Sequence, residues 1–366
     1  MPQRSLRFHS GAPYRRLIGV GGIGVGIFFA LEGDHTLGRN ESRPARLLDI
    51  RDYCKLHIIA HSVSVLLGAD PSGSPFHVLP IGKVGDDDAG RRMLKEMSGA
   101  GMDIRHVEVI GNQPTQFSVC FQYPNGEGGN LTTSQSAASE LTPQDVERCS
   151  SALFGDGVPT IALAAPEVPL ETRHRLLQLA TASRAFRAAA LTSSEMVMAG
   201  EQGLFSFVDL VSINEDEAGA LIGRSFDPEA PAAFLKGCSD ALTRYQPSMR
   251  IIISAGKHGA YAFAGGTWDY CPALPVSVVN TAGAGDALLA GVLSGIAVGM
   301  PLICPGRPRR SICELPLASA LDFGVLLAGY KVTSRHTIHP DARLETLLTF
   351  AEGLGISFSD EMRRFF

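Results

Sequence analysis

Strand-length apolar runs alternate with longer helical segments along most of this chain, and that rhythm leaves few architectures open. Leu17–Val20 reads as the first buried strand, and Phe76–Ile81 as another, followed by the amphipathic stretch Asp88–Gly99 with a glycine at its end. Thr160–Ala164 follows a helix that opens at Thr142-Pro143, and Phe207–Ile213 and Arg250–Ser254 are further strands, each after a helical segment. Gly285–Gly299 and Leu315–Thr333 read as helices with small residues on their faces. Strands that are apolar throughout, separated by helices, predict a mainly parallel sheet covered on both faces. At 366 residues the chain suits one large α/β domain with an insertion.

Two stretches break the alternation. Asp34–Asp52 is polar, and Val107–Leu131 reads as two strands round Pro124-Asn125-Gly126-Glu127-Gly128. A small β-sheet that leaves the α/β core would use both, and such an outlying element is a candidate lid. Met300–Arg310, rich in proline and arginine, reads as a surface loop.

Composition excludes several classes of function. A formal net charge of -5 is not the footprint of a nucleic-acid binder. The seven cysteines are an odd number, scattered, with no C-x-x-C pair, so neither a disulfide framework nor a zinc site is indicated. Reduced thiols fit a cytoplasmic protein. His57 and His61 lie four apart, but Ile58 follows His57, so the H-E-x-x-H pattern is absent. The apolar run Leu17–Leu31 holds five glycines and is too short to span a bilayer, so no membrane association is expected.

The segment that carries chemistry is Asn280-Thr281-Ala282-Gly283-Ala284-Gly285-Asp286, running straight into the apolar helix Ala287–Gly299. Glycines at 283 and 285 let backbone amides converge without Cβ clashes. At a helix N-terminus those amides and the macrodipole favour an anion. A carboxylate beside them can take the proton of an attacking hydroxyl while the amides hold phosphoryl charge, which is what phosphoryl transfer needs. The same spacing also suits an Asp that caps a buried helix. No Walker A sequence exists in the chain, so its phosphates are not held by a P-loop.

That segment resembles the C-terminal signature of the ribokinase-like (PfkB) carbohydrate kinases, and other pieces occur in family order. Ile81 to Gly90 (IGKVGDDDAG) resembles the G-x-V-G-x-D-x-x-G element, and Asn125 to Asn130 the hairpin of the ribokinase lid. Pro166-Glu167-Val168-Pro169 is similar to an L-E-x-P strand end, Asn214 to Glu217 to the N-x-x-E element, and Ser254 to Gly259 to the nucleotide loop. The resemblance covers roughly residues 17 to 338. It implies a ribokinase-like three-layer α/β/α sandwich with a small β-sheet lid. Residues 1–16 would be an N-terminal extension, 17–345 the kinase domain with lid segments at about 32–55 and 107–135, and 346–366 a helical tail.

The resemblance also implies roles. Asp286 would be the general base of a carbohydrate kinase, with the Ala284, Gly285 and Asp286 amides as anion hole and Gly283 as a further catalytic residue. ATP would lie against Asn214, Ser254, Gly256, Gly259, Thr281 and Val325. Asn214 and Glu217 would organise Mg²⁺, although an Asn with a Glu three residues on is also close to a capping box. A sugar or nucleoside acceptor would touch Asp34, Lys55, His57, Asn130 and Glu167, and the lid would join a homodimer. The chain also departs from the pattern. Its early substrate loop, typically G-G-x-x-x-N, falls at Cys54–Ile59 without the glycine pair or the asparagine, and the lid's glutamate is replaced in Gly128-Gly129-Asn130. Asn280 stands where many relatives have Asp, which leaves a potassium ion open.

Two rivals remain at this level. Gly19-Val20-Gly21-Gly22-Ile23-Gly24 satisfies G-x-G-x-x-G, the mark of a nicotinamide-dependent oxidoreductase, but no second strand ending in an acidic residue occurs at the required distance. The altered substrate loop alone supports a non-catalytic nucleotide- or sugar-binding regulator on the same fold.

Overall fold

A computed structural model describes residues 4–124, 128–307 and 309–366. In chain order the strands are β1 (Arg16–Val20), β2 (Gly24–Leu31), β3 (Ala45–Tyr53), β4 (His77–Gly85), β5 (Val107–Ile110), β6 (Gln116–Gln122) and β7 (Gly128–Thr132). They continue as β8 (Thr160–Ala164), β9 (Phe186–Ala190), β10 (Leu210–Asn214), β11 (Arg250–Ser254), β12 (Ala260–Ala264) and β13 (Thr267–Cys271). The helices are α1 (Lys55–Leu67), α2 (Asp88–Gly99), α3 (Pro143–Phe154), α4 (Leu170–Ala182), α5 (Met196–Glu201) and α6 (Glu215–Ile222). After them come α7 (Pro231–Thr243), α8 (Ala284–Val298), α9 (Ala320–Lys331), α10 (Leu344–Gly353) and α11 (Asp360–Arg363).

Nine strands form one sheet in the order β13-β12-β11-β10-β9-β8-β1-β4-β5, parallel throughout except where β12 and β13 turn back as an antiparallel edge. Successive side chains serve opposite faces, as a pleated strand requires. On β10, Leu210 joins the core under α1, α8 and α9, while Val211 and Ile213 join the one under α6 and α7. Every residue of β1 and β8 is buried. This is the three-layer α/β/α architecture that the alternation predicts.

A second sheet, β3-β2-β6-β7, forms the lid. Three residues, Gly21 to Ile23, carry the chain from β1 in the main sheet to β2 in the lid. The run Leu17–Leu31, read as a strand and turn, therefore holds two strands in two sheets. Val107–Ile110, read as part of the lid, pairs instead with Gly82–Gly85 at the edge of the main sheet, so the lid hairpin is made by β6 and β7 alone. Its turn at Asn125–Glu127 lies outside the described residues. The chain ends also meet on the core. The Leu6 amide donates to the Leu66 carbonyl, the Arg7 amide to that of Phe365, and Leu6 and Phe366 are both buried.

The glycines of the nicotinamide-type pattern face protein, not an open crevice. A Cβ at Gly22 would strike Glu167, and one at Gly24 would lie 2.4 Å from the Gln116 carbonyl oxygen. They serve close packing at the lid hinge, and the oxidoreductase reading is set aside.

Candidate active site

In open α/β sheets, ligands bind beyond the carboxyl ends of the strands, and the candidate residues gather there. Gly283 precedes α8 with φ 81°, and a Cβ on it would lie 2.7 Å from the Thr337 carbonyl oxygen, so only glycine makes this turn without strain. The Ala284 amide donates to the Thr281 carbonyl at 3.0 Å. Ala284 is thereby removed from the expected anion hole. The Gly285 and Asp286 amides have no hydrogen-bond partner among the described residues and are free to meet an anion.

Asp286 sits in the first turn of α8, in a cavity of about 220 Å³ lined also by Lys55, Asn214, Glu217, Ser254 and Gly283. Burial raises the pKa of its carboxyl, and the ammonium groups of Lys55 and Lys331 oppose that rise. Lys55 opens α1. Burial alone would lower the pKa of its ammonium, but Asp286, Glu217 and Glu167 outweigh it and the net shift is upward. The Lys55 amide donates to Glu167 Oε2 at 2.9 Å. Glu167 is pushed up to about 7 by burial, so near neutral pH this carboxyl holds a proton much of the time.

Asn214 and Glu217 form the capping box of α6. Asn214 Oδ1 accepts from the Glu217 amide at 2.7 Å, and Glu217 Oε2 accepts from the Asn214 amide at 2.8 Å. Glu217 Oε1 is 4.0 Å from Lys55 Nζ, and the residue lines the Asp286 cavity. The capping role and a place at the site therefore coexist. Among the described residues, no group of three or more His, Cys, Asp or Glu could hold a metal ion by itself.

Two larger clefts open on either side, and Thr281 lines all three cavities. One, of about 720 Å³, is lined by Asn214, Ser254, Gly256 and Gly259 on the strand side and by Leu274, Val276, Val325 and Ala328 across from them. Polar groups at one end and apolar walls at the other suit a nucleotide with phosphates toward α8 and base toward Val325. The second, of about 510 Å³, lies under the lid and is lined by Phe28, Asp49, Cys120, Asn130, Asn280 and Arg335, among others.

The expected acceptor residues divide. Lys55 and Asn130 line the cavities, and Glu167 lies directly behind Lys55. Asp34 does not line any of these cavities; it sits exposed in the turn between β2 and β3. His57 is fully buried inside α1, where its ring lies 4.7 Å from that of Tyr53 and 5.9 Å from that of His61, and burial drives its pKa far down. One turn position decides this: Lys55 begins the helix at the site, and His57, two residues on, faces the interior.

Asp52, which the sequence did not single out, lines none of the three cavities but lies close to Asp286 and Lys331. Its Oδ2 lies 2.1 Å from where a Cβ on Gly26 would be, so the bare backbone at 26 is what admits this carboxylate. Burial raises its pKa, the Cys120 thiol donates to Oδ2 at 3.6 Å, and it lies within electrostatic reach of Asp286 and Lys331. A glycine inside a strand marks a close approach, and Gly26 was the available signal.

A carboxylate at a helix N-terminus, two unpartnered amides, a nearby ammonium and two adjoining clefts are what a phosphotransferase uses. Residues 67–343 match the family described as pfkB family carbohydrate kinase, and the chain belongs to that family. It is a carbohydrate kinase. A fructokinase from Klebsiella pneumoniae is 28% identical over 60% of this chain and 72% of its own length. A 2-dehydro-3-deoxygluconokinase from Thermoproteus tenax is 26% identical over 75% and 81%. Among solved structures, a ribokinase from Cryptococcus neoformans var. grubii serotype A in complex with ADP shares the fold with a TM-score of 0.69 at 19% identity, covering 92% of this chain and 99% of that one. A putative ribokinase II from E. coli in complex with ATP and Mg²⁺ does so with a TM-score of 0.66 at 15% identity, covering 92% and 99%.

Proposed function

We propose that this kinase moves the γ-phosphate of ATP to a hydroxyl of a small sugar or sugar-like acceptor, with Asp286 as general base. The observation that carries the reading is that Asp286 lines a small cavity that shares Thr281 with both clefts, beside the open Gly285 and Asp286 amides. An acceptor hydroxyl held under the lid gives its proton to Asp286 as its oxygen attacks the γ-phosphorus. The bond from that phosphorus to the bridging oxygen breaks, and ADP leaves. The amides and Lys55 hold the charge that spreads over the phosphoryl oxygens.

Mg²⁺, when bound, neutralises phosphate charge, and the hard oxygens of Asn214 and Glu217 suit it. Since both side chains are tied into the capping box, they would hold the ion through its waters. Asp52, Asn130 and Asp49 are the groups that grip acceptor hydroxyls, with Asp52 taking the part expected of Asp34. Seven free cysteines support a cytoplasmic protein, and among the described residues no helix is long and apolar enough to cross a membrane. The exposed Leu47 and Leu131 on the lid support a homodimer through that sheet.

The reading is tested by scoring ADP release from Mg·ATP across a panel of ketoses, aldoses, sugar acids and nucleosides. At least one acceptor should raise turnover far above the water rate and yield a phosphorylated product. Tight acceptor binding with no ADP release from any member would favour the binding-protein alternative.

A further inference from the structure

Lys331 is the last residue of α9, only 2% exposed, and with Lys55 it is one of the two ammonium groups that act on Asp286. Its ammonium donates to the Asn280 carbonyl at 2.8 Å. Asn280 is the first residue of the segment that turns into α8, and its side chain organises that turn. Its Oδ1 accepts from the Ala282 amide at 3.0 Å, and its Nδ2 donates to the Arg335 carbonyl at 2.7 Å. The amides of Val279 and Asn280 both donate to the Val332 carbonyl. The end of α9 and the residues just beyond it thus hold the start of the anion-binding turn by four bonds, and the only charged one comes from Lys331.

A buried ammonium with one carbonyl partner is expensive as a mere tether, and an apolar residue would fill the place at less cost. Among the described residues, no carboxylate lies within ion-pair distance of Lys331. What faces it is a set of carboxylates at longer range, Asp286 from α8 and Asp52 from β3, with His336 and His339 farther along its own segment. The Asp286 cavity must admit a phosphoryl group into a region that already holds Asp286, Asp52, Glu167 and Glu217, and Lys55 alone is a thin counterweight to four carboxyl groups.

We infer that Lys331 is a positioning residue that supplies a built-in monovalent cation: its ammonium fixes the Asn280 carbonyl and offsets carboxylate charge behind the anion-binding turn, so that the kinase runs without an added cation at that place. The inference rests on the proposed site at Asp286. Burial lowers Lys331 to about 8, against the pull of Asp286 and Asp52, so the charge is present at neutral pH and is lost as pH rises through that value.

The test measures kcat, KM for ATP and acceptor, and melting temperature for Lys331→Ala, Lys331→Met and Lys331→Arg. Each is assayed from pH 6.5 to 9.5 in choline chloride, potassium chloride, ammonium chloride and methylammonium chloride at equal ionic strength. Wild-type kcat should be the same in all four salts and fall on an alkaline limb near pH 8. Lys331→Ala and Lys331→Met should lose about 10- to 100-fold in kcat, less than an anion-hole donor that touches the phosphoryl group directly. Ammonium or methylammonium should restore much of the loss in Lys331→Ala but not in Lys331→Met, whose side chain fills the space. Lys331→Arg should keep activity and lose the alkaline limb. The inference is overturned if Lys331→Met keeps wild-type kcat, if no small cation rescues a folded Lys331→Ala, or if wild type itself requires potassium. Where Lys331→Ala does not fold, the pH profile of Lys331→Arg decides. Asp286→Asn assayed alongside separates the two levels. An active Asp286→Asn removes the site itself, whereas an inactive one with indifferent Lys331 variants removes only this inference.

Discussion

The cleft proposed for the nucleotide and the cleft proposed for the acceptor share Thr281 yet are built by different means. The first is framed by the ends of β10 and β11, the capping box of α6, the turn into α8 and the inner face of α9, all rooted in the nine-stranded sheet. Each of its polar elements is a short local segment at a strand end or helix start. The second is walled by a separate sheet in which β2, β3, β6 and β7 come from segments far apart in the chain. Its chemistry depends on which side chains meet across strands. The difference teaches where change is tolerated. On the proposed reading, phosphoryl-transfer geometry would be set by backbone turns, while acceptor recognition would be set by individual side chains that can be exchanged between strands.

The largest effect that sharpens this contrast is expected on the backbone side, from Gly283→Val. A branched side chain at φ 81°, with its Cβ 2.7 Å from the Thr337 carbonyl, imposes strain of about 1–3 kcal/mol. The Gly285 and Asp286 amides shift with the turn, and kcat should fall by about 10²–10³-fold, as when an anion-hole donor is lost. Steady-state kinetics with a melting curve checks it, and wild-type kcat in a folded variant would break the backbone half of the comparison.

On the acceptor side, Asp52→Leu should lower kcat/KM for the acceptor by about 10- to 100-fold, the equivalent of about 1.5–3 kcal/mol for a hydrogen bond to a charged group. The KM for ATP should barely move. Gly26→Asp should fail alone, because its side chain would occupy the place of the Asp52 carboxylate. Combined with Asp52→Gly it returns a carboxylate to the same space from a different strand, and acceptor use should recover to within about tenfold of wild type. If Asp52→Leu left acceptor kinetics untouched, the proposed gripping residue would be wrong.

The smallest effect belongs to the apolar wall. Val325 is 5% exposed on α9, and Val325→Ala removes about 1 kcal/mol of apolar contact with the base. ATP affinity, read by titration calorimetry, should weaken roughly fivefold while acceptor KM holds. A change in acceptor KM instead would place the nucleotide in the other cleft.

The two halves were unequally legible in the sequence. Strand–helix alternation predicted the layers because each buried strand is an unbroken apolar run, and the turn into α8 was readable because glycines and an acid at a helix start are a local signal. The capping box was visible for the same reason, at three-residue spacing. Asp34 was misplaced because nothing local tells which polar residue in a lid segment turns inward, and His57 because α1 turns it into the interior two residues after Lys55. Asp52 has room for its carboxylate only because Gly26, on the neighbouring strand, has no side chain, and that pairing exists only once β2 and β3 are in register. Val107–Ile110 went to the wrong sheet because a four-residue strand carries no mark of its partner. Ala284 fits the signature, but its amide is taken by a carbonyl three residues earlier.

The central claim is that Asp286 takes the acceptor's proton, and Asp286→Asn tests it most directly. The amide keeps the size of the side chain at the start of α8 but cannot accept that proton, and a positioned general base is worth about 10²–10⁴-fold in rate. The measurement is kcat with the best acceptor, alongside ATP affinity and melting temperature, for wild type and Asp286→Asn. The account predicts a kcat lower by that factor, an unchanged or slightly higher melting temperature because a buried carboxylate has been removed, and ATP affinity equal to wild type or slightly tighter. Turnover within a few-fold of wild type would contradict it and place the base elsewhere.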